Sequence, residues 1–227
     1  MVKDYIKIYY SNKLKPITDY PFKLVSFLIK KNDIKPGMNV LDLGCGRGDY
    51  IIPFKQLGMN VYGVDISEYS INYLKNNGYN VCYCDFEKNK IPFEKNFFDV
   101  IFSKSVIEHL GNPENYFEEI KRILKPNGKL IILTPDWYSQ YKIFYNDYTH
   151  KQPYTIESLQ NILINYNFND IKVSYFYQLP IIWKFPFLKF ISCLIRWLWP
   201  KHIKSKIKFI RFSVELMLLA TANNNKN

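Results

Sequence analysis

The stretch VLDLGCGRG, residues 40–48, decides the fold. Its apolar first half predicts a buried strand, and Gly44, Gly46 and Gly48 then alternate through a turn. Glycines at alternate positions let the backbone bend sharply and let a ligand lie against it without meeting a Cβ. A turn of this kind is also compatible with a plain strand–helix connection. The stretch therefore predicts the start of a βαβ unit, with a candidate small-molecule site at its turn.

Outward from this stretch, short β-rich runs alternate with stretches of helical length. The runs cover residues 39–43, 61–64, 81–83, 100–102 and 130–133, and two more strand-like runs follow at 171–177 and 214–220. This rhythm predicts βαβ units and a parallel sheet. We predict one domain over residues 36–227, preceded by a lead-in over residues 1–35 that contains a helix. The polar end, residues 223–227, is expected to fray.

Carboxylates mark three consecutive predicted strands. Each of the three ends in a carboxylate: Asp42 in the first, Asp65 in the second and Asp85 in the third. Ligands of an open parallel sheet bind outside the carboxyl ends of the strands, where a carboxylate can accept both hydrogen bonds of a ribose diol. Asp85 beside Phe86 could bind an adenine amino group while the ring covers the adenine face.

A dinucleotide is disfavoured as the ligand. The nicotinamide fingerprint G-x-G-x-x-G requires a glycine at position 49, where this chain has Asp49. A carboxylate at the start of the helix would repel a pyrophosphate. The pattern therefore favours a cationic cofactor without phosphates.

Residues 40–46 resemble motif I of the class I S-adenosylmethionine-dependent methyltransferases, especially the ubiquinone-type (methyltransferase type 11-like) group. Further matches are FFDVI at 97–101, VIEHL at 106–110 and LKPNGKL at 124–130, in the expected order. The resemblance implies an α/β fold, with a Rossmann-like doubly wound sheet and helices on both faces. Its seven strands would be mostly parallel with an antiparallel last strand. It also implies S-adenosyl-L-methionine as the cofactor.

The resemblance assigns a role to each candidate cofactor residue. Asp42 would face the methionine end, Asp65 would hold the ribose hydroxyls, Ile66 and Phe86 would sandwich the adenine, and Asp85 would bind its amino group. Ser103 would lie at the floor of the site. The full set of implied cofactor-binding residues is Asp42, Gly44, Cys45, Gly46, Gly48, Asp65, Ile66, Asp85, Phe86 and Ser103.

Two histidines are the candidate catalytic residues. An alcohol or phenol acceptor must lose a proton, which favours a nearby histidine base. His109 follows the fourth strand, and His150 lies in a predicted substrate-covering segment, residues 136–160. Each also has a structural interpretation, His109 as a helix-start residue with a local hydrogen bond and His150 as a loop anchor.

The pair Glu108-His109 resembles part of the magnesium site of some ubiquinone-type and small-RNA-end methyltransferases. Those families place another acidic residue a few positions earlier, where this chain has Lys104 and Ser105. We therefore predict no metal.

The net charge of +11 is concentrated in one aromatic, basic insertion, residues 178–213, and its flanks. Between Asp170 and Glu215 there are nine Lys and Arg residues and no acidic residue. Residues 187–199, FLKFISCLIRWLW, predict a helix with a narrow polar stripe of Lys189, Ser192 and Arg196. Trp and Phe beside Lys and Arg are typical of a membrane interface. A helix buried against the sheet and a nucleic-acid surface are the alternatives.

Together these features predict a methyltransferase that is peripheral to an anionic membrane surface. Four cysteines without a C-x-x-C pair, and no apolar leader, predict the cytoplasmic side of that membrane. The expected reaction is O-methylation of a hydroxyl on a lipid-linked or envelope glycan or another lipid-borne acceptor. Alternatives are a soluble or quinone-type O-methyltransferase, an RNA methyltransferase and a non-catalytic cofactor-binding subunit.

Overall fold

The computed structural model describes residues 18–200, 203 and 205–225. It contains a seven-stranded sheet flanked by helices. The strands are β1 (Asn39–Leu43), β2 (Asn60–Asp65), β3 (Asn80–Tyr83), β4 (Phe98–Lys104), β5 (Leu124–Pro135), β6 (Phe168–Phe176) and β7 (Met217–Asn224). The helices are α1 (Tyr20–Asn32), α2 (Ile51–Gln56), α3 (Glu68–Asn76), α4 (Glu114–Ile123), α5 (Trp137–Gln140), α6 (Ile156–Asn165), α7 (Pro180–Lys184), α8 (Leu188–Leu198) and α9 (Lys208–Val214).

The strand order is β3-β2-β1-β4-β5-β7-β6. Strands β1 to β5 pair in parallel, and β7 is antiparallel to both β5 and β6. The predicted doubly wound, mostly parallel sheet with an antiparallel last strand is thus confirmed. The direction of winding reverses between β1 and β4, where open sheets of this type form their ligand crevice.

Strand alternation sends the side chains of β1 into two separate cores. Leu41 and Leu43 join the core that contains Phe117 of α4. Val40 points to the opposite face, in the core that contains Phe54 of α2. Successive side chains of a strand face opposite sides of the sheet, so a strand buried on both faces is apolar nearly throughout.

The sequence prediction holds for the helix near the N-terminal end and differs from the structure at the last strand. The predicted lead-in helix is confirmed as α1, while residues 1–17 lie outside the described residues. The last strand begins at Met217, three residues later than predicted, and continues to Asn224. The expected fraying is wrong for residues 223 and 224, which belong to this strand. Asn224 is buried and its amide donates to the carbonyls of Lys121 and Leu124 at 3.2 and 2.7 Å. Residues 226 and 227 lie outside the described part of the chain.

Two long segments between strands extend away from the sheet, the covering segment and the insertion. The covering segment is closed at its base by a bridge between Asp136 and Tyr154, and the Trp137 amide donates to the Tyr154 carbonyl at 2.9 Å. The insertion joins β6 to β7, in which Phe176 and Met217 are register partners. Both segments start beside the ends of sheet strands.

Candidate active site

The glycine turn after β1 is held by main-chain hydrogen bonds and by close packing. Gly44 and Gly48 have φ of +88° and +94°, a region that favours glycine. The amides of Gly44 and Cys45 donate to the Val64 carbonyl at 2.8 and 3.0 Å. A Cβ on Gly44 would lie 2.2 Å from Cγ2 of Val106. Beside Gly44 the protein's own side chain therefore fills the space, a packing role that the sequence argument did not include.

Asp65, at the end of β2, fixes the glycine turn. Its Oδ2 accepts the Gly46 amide at 2.7 Å, and its Oδ1 accepts the Ser67 amide at 2.8 Å. The ribose contact of Asp65 stays a prediction. The carboxylate orients the turn in addition to any role toward a cofactor.

Asp42 is a buried carboxyl that is incompletely satisfied. It is 2% exposed, and its Oδ2 has no hydrogen-bond partner among the described residues. Burial, with the nearby charges of Asp65 and Asp49, raises the pKa of Asp42 well above its usual range. A buried acceptor without a donor is costly. A cationic amino group would satisfy it, so this carboxyl fits a cofactor with a positively charged end.

The predicted adenine end combines an exposed and a buried side chain. Ile66 is 56% exposed, which leaves its face open to a flat ring. Phe86 is buried and packs edge-on against Tyr116, with ring centroids 6.1 Å apart. Asp85 accepts the Glu87 amide at 3.1 Å and pairs with Lys88 at 3.0 Å. The adenine contacts of these residues stay predictions.

Cys45 and Ser103 have side chains directed into the protein. The Cys45 thiol is buried against Gly63 of β2, and burial raises its pKa. The Ser103 hydroxyl is buried and donates to the Leu43 carbonyl at 3.0 Å. Ser103 therefore joins β4 to β1 beneath the glycine turn, and a cofactor contact of Cys45 would come from its main chain.

His109 is oriented by two residues of the covering segment. The Thr149 hydroxyl lies 2.9 Å from Nδ1 of His109 and donates to Oδ1 of Asp147 at 2.6 Å. A hydroxyl has one proton. Because that proton goes to the carboxylate, Thr149 accepts from His109, and Nδ1 carries the imidazole proton. The lone pair of neutral His109 is therefore on Nε2.

His150 lies beside His109 and has the same tautomer. Its Nδ1 donates to the Phe144 carbonyl at 2.8 Å, which leaves Nε2 unprotonated in the neutral ring. The two imidazole centroids are 4.8 Å apart. Burial and then the charge of His150 lower the pKa of His109. The structure thus brings the two predicted catalytic histidines together.

Glu108 completes a cluster with the two histidines. It is buried, its Oε2 accepts the Thr134 hydroxyl at 2.9 Å, and burial raises its pKa to about 7. Its Oε1 has no partner in the described part of the chain. Candidate ligand atoms of Glu108, His109 and His150 lie within 4.8 Å of one another, a donor set that suits a divalent cation. The prediction of no metal considered residues before Glu108 and did not consider His150 as a ligand.

The covering segment is fastened to the loop that follows β4. The amides of Lys151 and Gln152 donate to the Glu108 carbonyl at 2.8 and 3.0 Å. The Lys151 ammonium pairs with Glu87 at 3.1 Å, and Glu87 also accepts the Gly111 amide at 2.7 Å. These bonds hold His150 against His109.

A family model described as a methyltransferase domain matches residues 15–173, more than half of the chain. The chain belongs to this family. The match, with the glycine turn and the sheet topology, confirms the predicted class I S-adenosylmethionine-dependent methyltransferases as its family.

Curated relatives of the chain have names that refer to different reactions. The chain is 34% identical over 111 residues to a sterol 24-C-methyltransferase of Gibberella zeae, covering 45% of this chain and 29% of that one. It is 32% identical over 108 residues to a ubiquinone biosynthesis O-methyltransferase of Maricaulis maris, covering 43% and 41%. The chain therefore spans less than half the length of these relatives.

Solved structures confirm the fold. A SAM-dependent methyltransferase from Archaeoglobus fulgidus superposes with a TM-score of 0.64 at 24% identity, covering 89% of this chain and 94% of that one. Phosphoethanolamine N-methyltransferase 2 of Haemonchus contortus, solved with S-adenosyl-L-methionine, superposes with a TM-score of 0.67 at 21% identity. That match covers 97% of this chain and 59% of the other.

Proposed function

We propose that this methyltransferase transfers a methyl group from S-adenosylmethionine to a hydroxyl oxygen of a lipid-borne acceptor. The observation that carries the proposal is the chain of hydrogen bonds from Asp147 through Thr149 to His109. It leaves Nε2 of the neutral imidazole unprotonated, and a neutral hydroxyl acceptor needs a base.

The cofactor would be held by the carboxyl ends of the first three strands. Asp42 offers an unsatisfied buried oxygen to the cationic amino group, and Asp65 offers acceptors to the ribose. Exposed Ile66 would cover the adenine. When bound, S-adenosylmethionine supplies a methyl group on a positively charged sulfur, which an oxygen nucleophile can displace.

His109 would take the proton of the acceptor hydroxyl on Nε2. The resulting imidazolium would be stabilised because its Nδ1 proton points to Thr149, whose own proton is bound by Asp147. The lowered pKa of His109, caused first by burial, keeps the ring neutral and ready at neutral pH. Holding base and acceptor together supplies part of the rate enhancement by alignment alone.

A divalent cation on Glu108, His109 and His150 is the second candidate arrangement. The specific observation is the gathering of their ligand atoms within 4.8 Å. A cation would orient the acceptor oxygen and acidify its hydroxyl. A lone pair that binds a cation cannot also take a proton, so the two arrangements exclude each other at His109.

Two observations support a lipid-borne acceptor. The names of two relatives refer to sterol and to ubiquinone, both of which are lipids. The insertion exposes a large apolar and basic surface, which could rest where such acceptors are found. A lipid-linked or envelope glycan would present the required hydroxyl at this position.

The experiment is a methylation assay with isotopically labelled cofactor and cell extracts separated into lipid, glycan and RNA fractions. We expect mass spectrometry to find a product one CH2 unit heavier in the lipid or lipid-linked glycan fraction, absent with His109→Ala. Product in the RNA fraction or in a soluble metabolite would contradict the lipid acceptor. Cofactor binding without product in any fraction would indicate a non-catalytic subunit.

A further inference from the structure

Helix α8 of the insertion exposes its apolar face and buries part of its polar face. An amphipathic helix on a globular domain normally buries its apolar stripe. In α8 the small polar Ser192 is fully buried and accepts a hydrogen bond from the Ser213 hydroxyl at 2.9 Å. Phe190 and Trp197 are instead 82% and 81% exposed. The polar stripe predicted from the sequence therefore partly faces the protein, and the apolar residues face outward.

The exposed apolar side chains share one face of the helix. They recur at spacings of three and four residues, which places them in one stripe along the axis. The members of this apolar stripe are Phe187, Phe190, Ile191, Leu194, Trp197 and Leu198. Exposed Phe185 before the helix and Ile207 after it extend the apolar surface of the insertion. Exposed apolar surface of this extent marks an interaction site.

The charge around the apolar stripe has a single sign. Lys184, Lys189, Lys206 and Lys208 are exposed, and the sequence between Asp170 and Glu215 has no acidic residue. Burial lowers the pKa of Lys31, and the charges of Lys189 and Lys172 lower it further, so these cations lie close together. An anionic surface would relieve this repulsion.

The insertion also lies beside the first residues of the covering segment. Burial raises the pKa of Asp136, the first residue of the covering segment, and the positive charge of Arg196 in α8 opposes that shift. The main chain of Leu216, just after the insertion, bonds to Ser139 and Gln140 of the covering segment. A surface that contacts α8 would therefore lie near the start of the covering segment, which also carries His150.

We propose that the apolar stripe of α8 and its flanking lysines form a docking site for an anionic phospholipid surface. The helix would lie in the plane of the interface, with Phe190 and Trp197 inserted between headgroups and Lys184 and Lys189 at the phosphates. Of the helices in the described ranges, none is long and apolar enough to cross a membrane. The proposal extends the lipid-borne acceptor of the proposed function, but its test needs neither cofactor nor turnover.

Other occupants fit the surface less well. In a symmetric dimer through this stripe the same lysines would face each other, and the segment supplies no acidic partner. RNA would meet aliphatic Ile191, Leu194 and Leu198, which can neither hydrogen-bond nor stack on bases. A bilayer interface matches both the apolar stripe and the cations.

The test is sedimentation of the 227-residue chain with vesicles of phosphatidylcholine, with and without phosphatidylglycerol, at low and high salt. We expect about tenfold or stronger binding to the anionic vesicles, weakened but not abolished by salt. Tryptophan emission should shift to shorter wavelength on binding. Equal or absent binding to both vesicles would overturn the proposal.

Matched variants separate the two parts of the surface. Phe190→Ser combined with Trp197→Ser should remove the salt-resistant binding. Both side chains are about four-fifths exposed, so little core packing is lost. Tyr73→Ser, an exposed aromatic residue of α3, is the control. Lys184→Glu with Lys189→Glu should remove the salt-sensitive part, whereas Lys75→Glu with Lys95→Glu makes the same charge change at exposed positions outside the insertion.

Three outcomes would assign the surface differently. Vesicle binding unchanged in Phe190→Ser/Trp197→Ser would show that the stripe is not the docking site. A dimer in light scattering that this variant dissociates would assign the stripe to a second copy of the chain. RNA binding with a steep salt dependence, without vesicle binding, would replace the bilayer by nucleic acid.

Discussion

The hydroxyl of Thr149 lies 2.9 Å from Nδ1 of His109. Since the same hydroxyl donates to Asp147 at 2.6 Å, it can only accept from the histidine. The covering segment thereby sets the tautomer of a side chain in the short 3-10 helix after β4, Ile107–His109. His109 and its orienting partners come from parts of the chain 40 residues apart.

Removing the Thr149 hydroxyl should impair turnover without removing the base. Thr149→Val leaves His109 free to adopt the other tautomer and orientation, so we expect kcat to fall about 10- to 100-fold, as for other residues that orient a functional histidine. Thr149→Ser keeps the hydroxyl and should retain most activity. The pH dependence of kcat should change in Thr149→Val, whereas cofactor affinity should not. Equal losses in Val and Ser variants would indicate a steric effect.

Variants of the two histidines, with EDTA treatment, should show whether His109 acts as a base or as a metal ligand. If His109 is the base, His109→Ala should lower kcat about 10²- to 10⁴-fold, and His150→Ala should lower it less. The assays use saturating cofactor, and a cofactor-binding isotherm for each variant shows whether its affinity is unchanged. Loss of activity in EDTA, restored by a divalent cation and lost in Glu108→Gln, would establish the cation arrangement instead.

Asp65 should contribute to cofactor affinity in two ways. Asp65→Ala removes a charged acceptor for the ribose and also releases the Gly46 amide, so we expect cofactor binding to weaken by about 1–3 kcal/mol. Titration calorimetry measures this effect directly. Glu68→Ala, an exposed acidic residue at the start of α3, is the matched control. Unchanged affinity in Asp65→Ala would remove Asp65 from the cofactor site.

Ionised Asp42 should lower the stability of the cofactor-free protein and strengthen cofactor binding. Its folded-state pKa is raised, so ionisation destabilises the fold as pH increases from the usual Asp range through the raised pKa. Asp42→Asn should therefore increase the free energy of unfolding near neutral and alkaline pH, and this gain should vanish in acid. The variant should also bind S-adenosylmethionine more weakly. Thermal unfolding across pH checks the sign, and a gain independent of pH would exclude ionisation as the cause.

The sheet and the glycine turn after β1 could be predicted from the sequence because their signals are local. Val40, Leu41 and Leu43 surround Asp42 within one short apolar run, and the glycines follow at once. The structure of this part depends on neighbouring residues in the chain, and it agrees with the prediction. The prediction omitted the clash that makes Gly44 necessary, because Val106 is distant in sequence.

The candidate catalytic residues could be predicted only one by one. His109 and His150 are visible in the sequence, but their 4.8 Å ring distance depends on how the covering segment folds back. Thr149 and Asp147 gave no signal, since such residues are common in loops. The helix of residues 187–199 was predicted with its stripe, yet periodicity does not tell which side faces the protein. The bond between Ser192 and Ser213 settles that orientation.

The insertion leaves the sheet after Phe176 and returns to it at Met217, and these residues are paired with each other. The insertion therefore begins and ends at the same end of the β6–β7 pair. A change in the length or sequence of the insertion therefore shifts no strand against its neighbour. Loss of Trp183 would, however, uncover Phe27 and Phe176, on which it packs. The proposed docking surface and the proposed catalytic residues thus belong to different segments between strands, so the length of one can change without a change in the other.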